Sequence, residues 1–203
     1  GKWGEIEKTR DNYSWTDQDR AYNYAQNEGL EFRAHTLVWG SQEPGWVAGL
    51  SKNQQLAEVK EWIADFATRY PNVDMIDVVN EALHWPPSFR GALNDDLRAR
   101  EGRLNNSSQH DPWDWVIWSF IEARNAFPNA QLMINEFNII NNYRGNGSPL
   151  VLDYSDNRDP ISIYLDIVGK LQSRGLIDAI AIQAHEFSLI NYDQNSLNSY
   201  QAN

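Results

Sequence analysis

The chain has 203 residues, enough for one substantial domain with a sizeable core. It carries 17 lysines and arginines against 28 aspartates and glutamates, so its formal net charge is −11. This balance argues against a nucleic-acid partner and against adhesion to an anionic membrane, because both require a basic surface. The chain has no cysteine, which excludes disulfides and thiolate metal sites.

Aromatic side chains are unusually frequent, with nine Trp, nine Tyr and seven Phe. Their flat apolar faces stack well on sugars or on nucleic-acid bases, and the acidic charge favours sugars. Filling the core is expected to use roughly half of them. No apolar run approaches the roughly 20 residues of a membrane-spanning helix. The first residues, GKWGEIE, show no secretory leader and resemble the middle of a longer sequence.

Helical and extended segments alternate along the chain. In order, the spacing of apolar residues and the capping residues predict a helix over 14–28, a strand over 30–39, a helix over 51–70, a strand over 73–79, a helix over 112–127, a strand over 130–137, a helix over 160–174 and a strand over 177–185. Because each helix is followed by a strand, a parallel α/β sheet is indicated. The strands lack clean polar alternation, as expected where both faces are covered.

Polar residues stand at the C-terminal ends of the predicted strands. They are His35 and Trp39, Asn80 and Glu81, Asn135 and Glu136, and Gln183 and His185. In a (β/α)8 barrel the catalytic residues collect at that end, whereas a doubly wound sheet usually carries a glycine-rich phosphate loop, which this sequence lacks. The predicted loops over 83–111 and 139–159 are long, and long loops there usually shape a cleft or hold an insertion.

Glu81 is the leading catalytic candidate. It closes the run DVVNE, in which an apolar strand ends in an amide and a carboxylate side by side. A carboxyl group among apolar neighbours suits a general acid, and Asn80 is suited to bond a sugar hydroxyl next to the reacting carbon. The alternative for Glu81 is a structural ion pair with a neighbouring arginine.

The segment RAHTLVWGSQEPGW adds four candidates, His35, Trp39, Gln42 and Trp46. A lone His on an apolar strand is more often a hydrogen-bonded core residue than a catalyst, although His35 is also suited to orient a carboxylate or a sugar hydroxyl. Trp46 is either a cleft residue or a plug within its loop.

Gln183 and His185 are two residues apart, so both side chains point to the same side of their strand. A His in that place is suited to hold a nucleophilic carboxylate. The chain has four histidines and no HxxxH or HExxH spacing, so neither a metal nor another cofactor is expected.

Glu136 is an alternative second carboxylate for direct chemistry, because it also stands at a strand end. Asn135 and Asn138 are candidates for lining the cleft. Glu186 points away from Gln183 and His185 and is expected to be structural.

At these motifs the chain resembles glycoside hydrolase family 10, the endo-β-1,4-xylanases. KWGEIEKTRDNYSW is similar to the segment after that family's second strand, HTLVWGSQEPGW to the third-strand motif, DVVNEAL to the fourth, INEFN to the fifth and IAIQAHEFSL to the sixth. The resemblance implies an α/β fold, the (β/α)8 TIM barrel. Residues 1–203 would form a partial catalytic domain, an incomplete barrel covering roughly strands two to six.

The resemblance also implies roles for individual residues. Glu81 would be the general acid/base, and Asn80 would contact the sugar at subsite −1. The glycone subsites would be lined by Lys2, His35, Trp39 and Gln42. The nucleophile would be flanked by Gln183 and His185.

Two departures from the family pattern matter. Gly40 stands where the family commonly has His, which removes a side chain near the cleft. The family nucleophile is a Glu at the end of the seventh strand, and no Thr-Glu-x-Asp type motif follows His185 before Asn203. The nucleophile is therefore expected beyond residue 203, and this chain alone is expected to show little or no turnover.

The predicted function is that of a retaining endo-1,4-β-xylanase, which hydrolyses the xylan backbone by double displacement. The alternatives are a related β-glycanase acting on glucan or mannan, and a non-catalytic sugar-binding barrel. The expected partner is xylan or a xylo-oligosaccharide, and the complete protein is expected to be a monomer. Because such a polymer is too large to enter cells, a secreted or periplasmic location is expected.

Overall fold

The structure is a computed structural model that describes residues 1–137, 139 and 158–184. Within these residues the helices and strands are, in chain order, α1 (Trp3–Ile6), α2 (Thr16–Glu28), β1 (Arg33–Val38), α3 (Lys52–Arg69), β2 (Met75–Asn80), α4 (Arg90–Arg100), α5 (Asp114–Ala126), β3 (Gln131–Glu136), α6 (Pro160–Ser173) and β4 (Ala179–Ile182). Short 3-10 turns lie at Gly40–Gln42, Val47–Gly49 and Ser107–Gln109. None of the described helices combines the length and the apolarity that crossing a bilayer requires.

The four described strands form one parallel sheet in the order β1-β2-β3-β4. Each consecutive pair of strands is separated by at least one helix, as in the βα units of a barrel. The predicted parallel α/β class is therefore confirmed. By the motifs that they carry, β1 to β4 correspond to strands three to six of the expected barrel.

One helix lies where the sequence predicted only a loop. Within 83–111 the chain forms α4, which buries Ala92, Leu93 and Leu97 and packs against α5 and α3. Its apolar face is short and its other positions are mostly charged, so the packing of α4 against its neighbours decides its formation more than its own periodicity does. The other predicted loop, 139–159, lies largely outside the described residues.

Local capping explains where the well-predicted helices begin and end. Ser51 and Gln54 form a capping box at the start of α3. At the start of α6, the Asp159 carboxylate accepts from the Ser162 backbone N–H at 3.0 Å, with Pro160 at the first helical position. Gly29 ends α2 in the left-handed region, with φ +64°.

Aromatic residues fill the layer between the sheet and the helices. Trp62 of α3 stacks on Trp3 at 5.8 Å and on Trp15 at 5.7 Å between ring centroids, and its Nε1 donates to the Leu37 carbonyl at 2.9 Å. Of the nine tryptophans, five are buried, namely Trp3, Trp62, Trp113, Trp115 and Trp118. The expectation that the core uses about half of the aromatics is met for Trp.

The sheet register sets which strand tips meet. His35 of β1 pairs with Asp77 of β2, and Val38 pairs with Val79, so β1 has one extra residue in this interval. Such an irregularity turns the following side chains relative to the strand, which is common next to active sites. At the next pair of strands, Asn80 lies opposite Asn135.

Candidate active site

The carboxyl ends of the four strands border one cleft of about 510 Å³. Its lining residues are Lys2, Arg33, His35, Trp39, Asp77, Asn80, Glu81, Asn135, Ile182 and Gln183. Seven of the residues predicted for catalysis or for lining a sugar cleft are brought together here, namely Lys2, His35, Trp39, Asn80, Glu81, Asn135 and Gln183. They come from segments more than 100 positions apart in the chain, and the parallel sheet unites them.

Glu81 is the first residue after β2, and its carboxylate is held by two neutral donors. Oε2 accepts from Trp39 Nε1 at 2.8 Å, and Oε1 accepts from Gln183 Nε2 at 2.9 Å. The backbone of Glu81 is in the left-handed region, with φ +54°, which turns the side chain sharply away from the strand direction. The arginine ion pair considered as an alternative is absent among the described residues.

Asn80 has one donor group that is left for a ligand. Its Oδ1 accepts from Asn135 Nδ2 at 2.7 Å and from Gln183 Nε2 at 3.2 Å. Its Nδ2 is buried and has no partner among the described residues. Buried amides are nearly always hydrogen-bonded, so this group is suited to donate to a hydroxyl of a bound molecule.

The floor of the cleft contains an ion-pair network that the sequence patterns did not predict. The buried Asp77 carboxylate accepts from Arg33 Nη2 at 2.8 Å and lies 2.8 Å from His35 Nδ1. His35 is thus oriented by a carboxylate, and its ring is partly exposed to the cleft. An aspartate inside the apolar run MIDVVN was the available signal, because a charge in a buried strand requires partners.

Lys2 and Trp39 form one wall of the cleft. Lys2 Nζ lies 5.7 Å from the centroid of the Trp39 ring, within the range of a cation–π contact. The wall thus offers an ammonium group and an aromatic face, the two kinds of group that bind sugar hydroxyls and sugar rings.

Of the other predicted binding residues, one is described but does not line the cleft, and two lie outside the described residues. Gln42 lies at the end of the Gly40–Gln42 turn and is not among the residues that line the cleft. Asn138 and His185, and also Glu186, lie outside the described residues. Their roles stay predictions.

Trp46 is a loop plug. Its Nε1 donates to the Glu7 carbonyl at 3.1 Å, and its ring meets Trp3 edge-on at 6.0 Å. Of the two alternatives for Trp46, the structure supports the one in which it packs within its loop and does not line the cleft.

Gly40 does not leave an opening in the cleft wall. Its N–H donates to the Trp85 carbonyl at 2.9 Å, and a Cβ on Gly40 would lie 2.5 Å from the Pro86 carbonyl oxygen. The expectation that Gly40 only removes a side chain was incomplete, because the backbone of Trp85 and Pro86 occupies that space.

Glu136 faces away from the cleft and is fully buried. Its Oε2 accepts from the Leu83 N–H at 2.9 Å, and its Oε1 lies 2.8 Å from His84 Nδ1 and accepts from the Phe137 N–H at 3.0 Å. Burial raises the pKa of the Glu136 carboxyl, although these donors act in the opposite sense. The alternative that Glu136 acts directly on a substrate is not supported by this position.

One other group of carboxylates stands close together among the described residues. Glu7, Asp11 and Glu58 offer oxygens within 4.8 Å of one another, but none of them lines the cleft. Glu7 already accepts from Trp3 Nε1, and Glu58 pairs with Arg10. This group therefore takes no part in the site.

Comparison with known proteins identifies the family. The family model described as glycosyl hydrolase family 10 matches residues 1–203. The chain is 34% identical over 187 residues to endo-1,4-beta-xylanase B of Cellvibrio japonicus, covering 91% of this chain and 25% of that protein. It is 30% identical over 206 residues to endo-1,4-beta-xylanase 1 of Gibberella zeae, covering 100% of this chain and 50% of that protein.

Solved structures share the fold. A family 10 structure from Paenibacillus barcinonensis aligns with a TM-score of 0.69 at 24% identity, covering 98% of this chain and 54% of that one. Xylanase10C of Cellvibrio japonicus, solved as a mutant in complex with xylopentaose, aligns with a TM-score of 0.64 at 23% identity, covering 91% of this chain and 34% of that one. The described sheet is thus part of a (β/α)8 barrel. The chain belongs to glycosyl hydrolase family 10.

Proposed function

We propose that this chain is part of a retaining endo-1,4-β-xylanase in which Glu81 is the general acid/base. The observation that carries the proposal is the setting of the Glu81 carboxylate in the cleft. Trp39 and Gln183 hold its two oxygens, and the preceding residue, Asn80, has an Nδ2 without a partner among the described residues. No arginine or lysine among the described residues pairs with this carboxylate, and the Glu81 side chain lines the cleft where a substrate would lie.

In the first step Glu81 donates its proton to the glycosidic oxygen, and this oxygen departs with the leaving sugar. A second carboxylate attacks the anomeric carbon and forms a covalent glycosyl intermediate. In the second step Glu81, now a carboxylate, takes a proton from water, whose oxygen then displaces the enzyme carboxylate. Asn80 would hold a hydroxyl of the same sugar through its Nδ2, for which the described residues offer no partner.

The second carboxylate is the Glu that the family pattern has after a seventh strand. Two other carboxylates near the described cleft are unsuitable. Asp77 is already bonded by Arg33 and His35, and both oxygens of Glu136 are taken by donors outside the cleft. A retaining mechanism requires a free carboxylate about 5–5.5 Å from Glu81.

Xylan is the proposed substrate because the curated relatives named above are called endo-1,4-beta-xylanases. The chain spans 25% and 50% of the lengths of these two relatives, so xylan is a proposal for the substrate of the whole protein. Action on a polymer implies a secreted or periplasmic location. We further propose that the complete protein acts as a monomer.

The test is hydrolysis of xylan, cellulose and mannan by the protein that contains this chain, as wild type and as Glu81→Ala. We expect release of reducing sugar from xylan, and a loss of about 10²–10⁴-fold in Glu81→Ala, the usual worth of general acid–base catalysis. Glu28→Ala, an exposed position at the end of α2, is the control and should retain activity.

Other outcomes decide between the alternatives. Preferential hydrolysis of cellulose or mannan would identify a different β-glycanase. Binding of xylo-oligosaccharides without hydrolysis by the complete protein would identify a sugar-binding barrel. Robust xylan hydrolysis by residues 1–203 alone would show that a carboxylate within this chain acts as the nucleophile.

A further inference from the structure

The residues that follow β2 form a tight turn that carries Glu81. The His84 and Trp85 amides both donate to the Glu81 carbonyl, at 3.1 and 2.8 Å. Glu81 itself has φ +54°, a conformation that costs a non-glycine residue about 1–2 kcal/mol. A turn of this kind keeps its shape only if contacts elsewhere hold it.

Those contacts converge on one buried side chain of the neighbouring strand. The Glu136 carboxylate accepts from the Leu83 amide within the turn and from the Phe137 amide at the end of β3, and it meets the His84 ring at 2.8 Å. The His84 ring also lies 3.9 Å from the Phe137 ring between centroids. Glu136 and His84 are 0% and 2% exposed, so water does not compete for these bonds.

Within the part of the chain that the structure describes, one backbone–backbone hydrogen bond also links the turn to β3. The Glu81 amide donates to the Asn135 carbonyl at 2.8 Å, which fixes the start of the turn. The part of the turn after Glu81 is tied to β3 through the carboxylate of Glu136. The bond to Asn135 thus fixes the backbone at Glu81 itself, and the bonds to Glu136 fix the backbone that follows it. Glu81 is the residue whose carboxyl group must meet the glycosidic oxygen.

We infer that Glu136 and His84 form a positioning pair, which holds the turn after β2 so that the Glu81 carboxyl keeps its place in the cleft. The inference rests on the proposed function of Glu81. Neither residue lines the cleft, and their effect is transmitted through the backbone of residues 81–84. A displacement of about 1 Å at a catalytic group is enough to cost about 10²-fold in rate.

The test separates acid catalysis from the rest of the reaction. In 2,4-dinitrophenyl β-xylobioside the leaving group is acidic, so it departs without being protonated. In xylotetraose the leaving sugar requires a proton from the general acid. The experiment compares kcat/KM for both substrates in four forms of the complete protein, namely wild type, Glu136→Gln, Glu136→Asp and His84→Gln. Glu28→Gln is the control for the loss of a carboxylate at the surface.

We expect Glu136→Gln to lower kcat/KM for xylotetraose by about 10–100-fold, mainly through kcat, and to leave the dinitrophenyl substrate within about threefold of wild type. His84→Gln should show the same pattern with a smaller loss, because the bonds from Leu83 and Phe137 to Glu136 remain. Glu136→Asp should not restore the rate, since its shorter side chain does not span the turn and β3 together.

Equal losses on both substrates would overturn the inference, because they indicate a general structural role. Unchanged rates on both substrates would overturn it as well. If Glu136→Gln does not fold, the ratio of the two rates in His84→Gln decides by the same criteria. A wild-type protein that cleaves neither substrate refutes the proposed function itself, whereas an active wild type with equal losses in the variants refutes the positioning pair alone.

Discussion

Two Asn-Glu pairs stand at the ends of neighbouring strands, and they have opposite environments. Asn80 and Asn135 are register partners that bond each other at 2.7 Å, and both line the cleft. The glutamates that follow them diverge. Glu81 faces the cleft and is held by side chains, whereas Glu136 is fully buried and is held mainly by backbone amides.

The difference comes from the backbone at the second residue of each pair. Glu136 is still the last residue of β3, so its side chain points to the face opposite Asn135. Glu81 has already left β2 and adopts φ +54°, which keeps its side chain on the cleft side with Asn80. Identical dipeptides therefore yield one candidate catalyst and one structural anchor.

The largest expected contrast is in stability. Glu136→Ala leaves the amides of Leu83 and Phe137 and the His84 ring without their buried partner, so it should lower the free energy of unfolding by about 3 kcal/mol or more. In Glu81→Ala, water from the cleft takes the place of the carboxylate, so the free energy of unfolding should fall by no more than about 1 kcal/mol. Denaturant unfolding of both variants measures the difference. Equal costs would contradict the assignment of Glu136 as the anchor.

A second variant acts on the turn from its other side. Gly40→Ala would bring a Cβ to 2.5 Å from the Pro86 carbonyl oxygen and 2.6 Å from that of Trp85. The backbone after the first Asn-Glu pair must shift, which should cost about 1–3 kcal/mol. Gly45→Ala is the matched control, because nothing lies within 4 Å of its added Cβ. Thermal melting of both variants tests this, and similar melting temperatures would show that the contact is not tight.

A third variant removes one donor from the glutamate that faces the cleft. Trp39→Phe keeps an aromatic face but loses the Nε1–H that bonds Glu81, a neutral hydrogen bond worth about 1 kcal/mol. Xylan hydrolysis by the complete protein should fall about fivefold. Trp46→Phe loses an equivalent bond, to the Glu7 carbonyl, outside the cleft, and it should keep its activity. Equal activity in the two variants would argue against a role for the Trp39 donor.

The smallest effect concerns pH. Burial raises the pKa of Glu136 above its ordinary value near 4.5, so the folded state holds this proton more tightly than the unfolded state does. Its contribution to stability is complete below that ordinary value and is lost as the pH rises through the raised pKa. The stability advantage of the wild type over Glu136→Gln should therefore shrink as the pH rises from about 4.5 through the raised pKa of Glu136. Urea unfolding across this range checks the slope, and an advantage that grows with pH would contradict the sign.

Sequence patterns predicted most of the helices and strands but not the contacts between distant segments. The four strands and four of the helices were predicted with boundaries within a few residues, because their apolar runs are long and their caps are explicit, as at Ser51, Gly29 and Pro160. The helix α4 was missed, since its three buried residues become an apolar face only when α3 and α5 are in place. The Arg33–Asp77–His35 network was missed because its partners lie on two strands and only the register brings them together.

By itself the sequence determined the class of fold and the kind of chemistry that the strand ends can carry. Apolar periodicity and capping are local properties, and the residues DVVNE, HTLVW and IAIQ carry the family pattern directly. Only the tertiary structure decided that Glu136 is a buried anchor, what fills the space beside Gly40, and which donors hold the carboxyl of Glu81. These outcomes depend on backbone dihedral angles at the strand ends and on contacts between segments far apart in the chain, and no local pattern of residues encodes them.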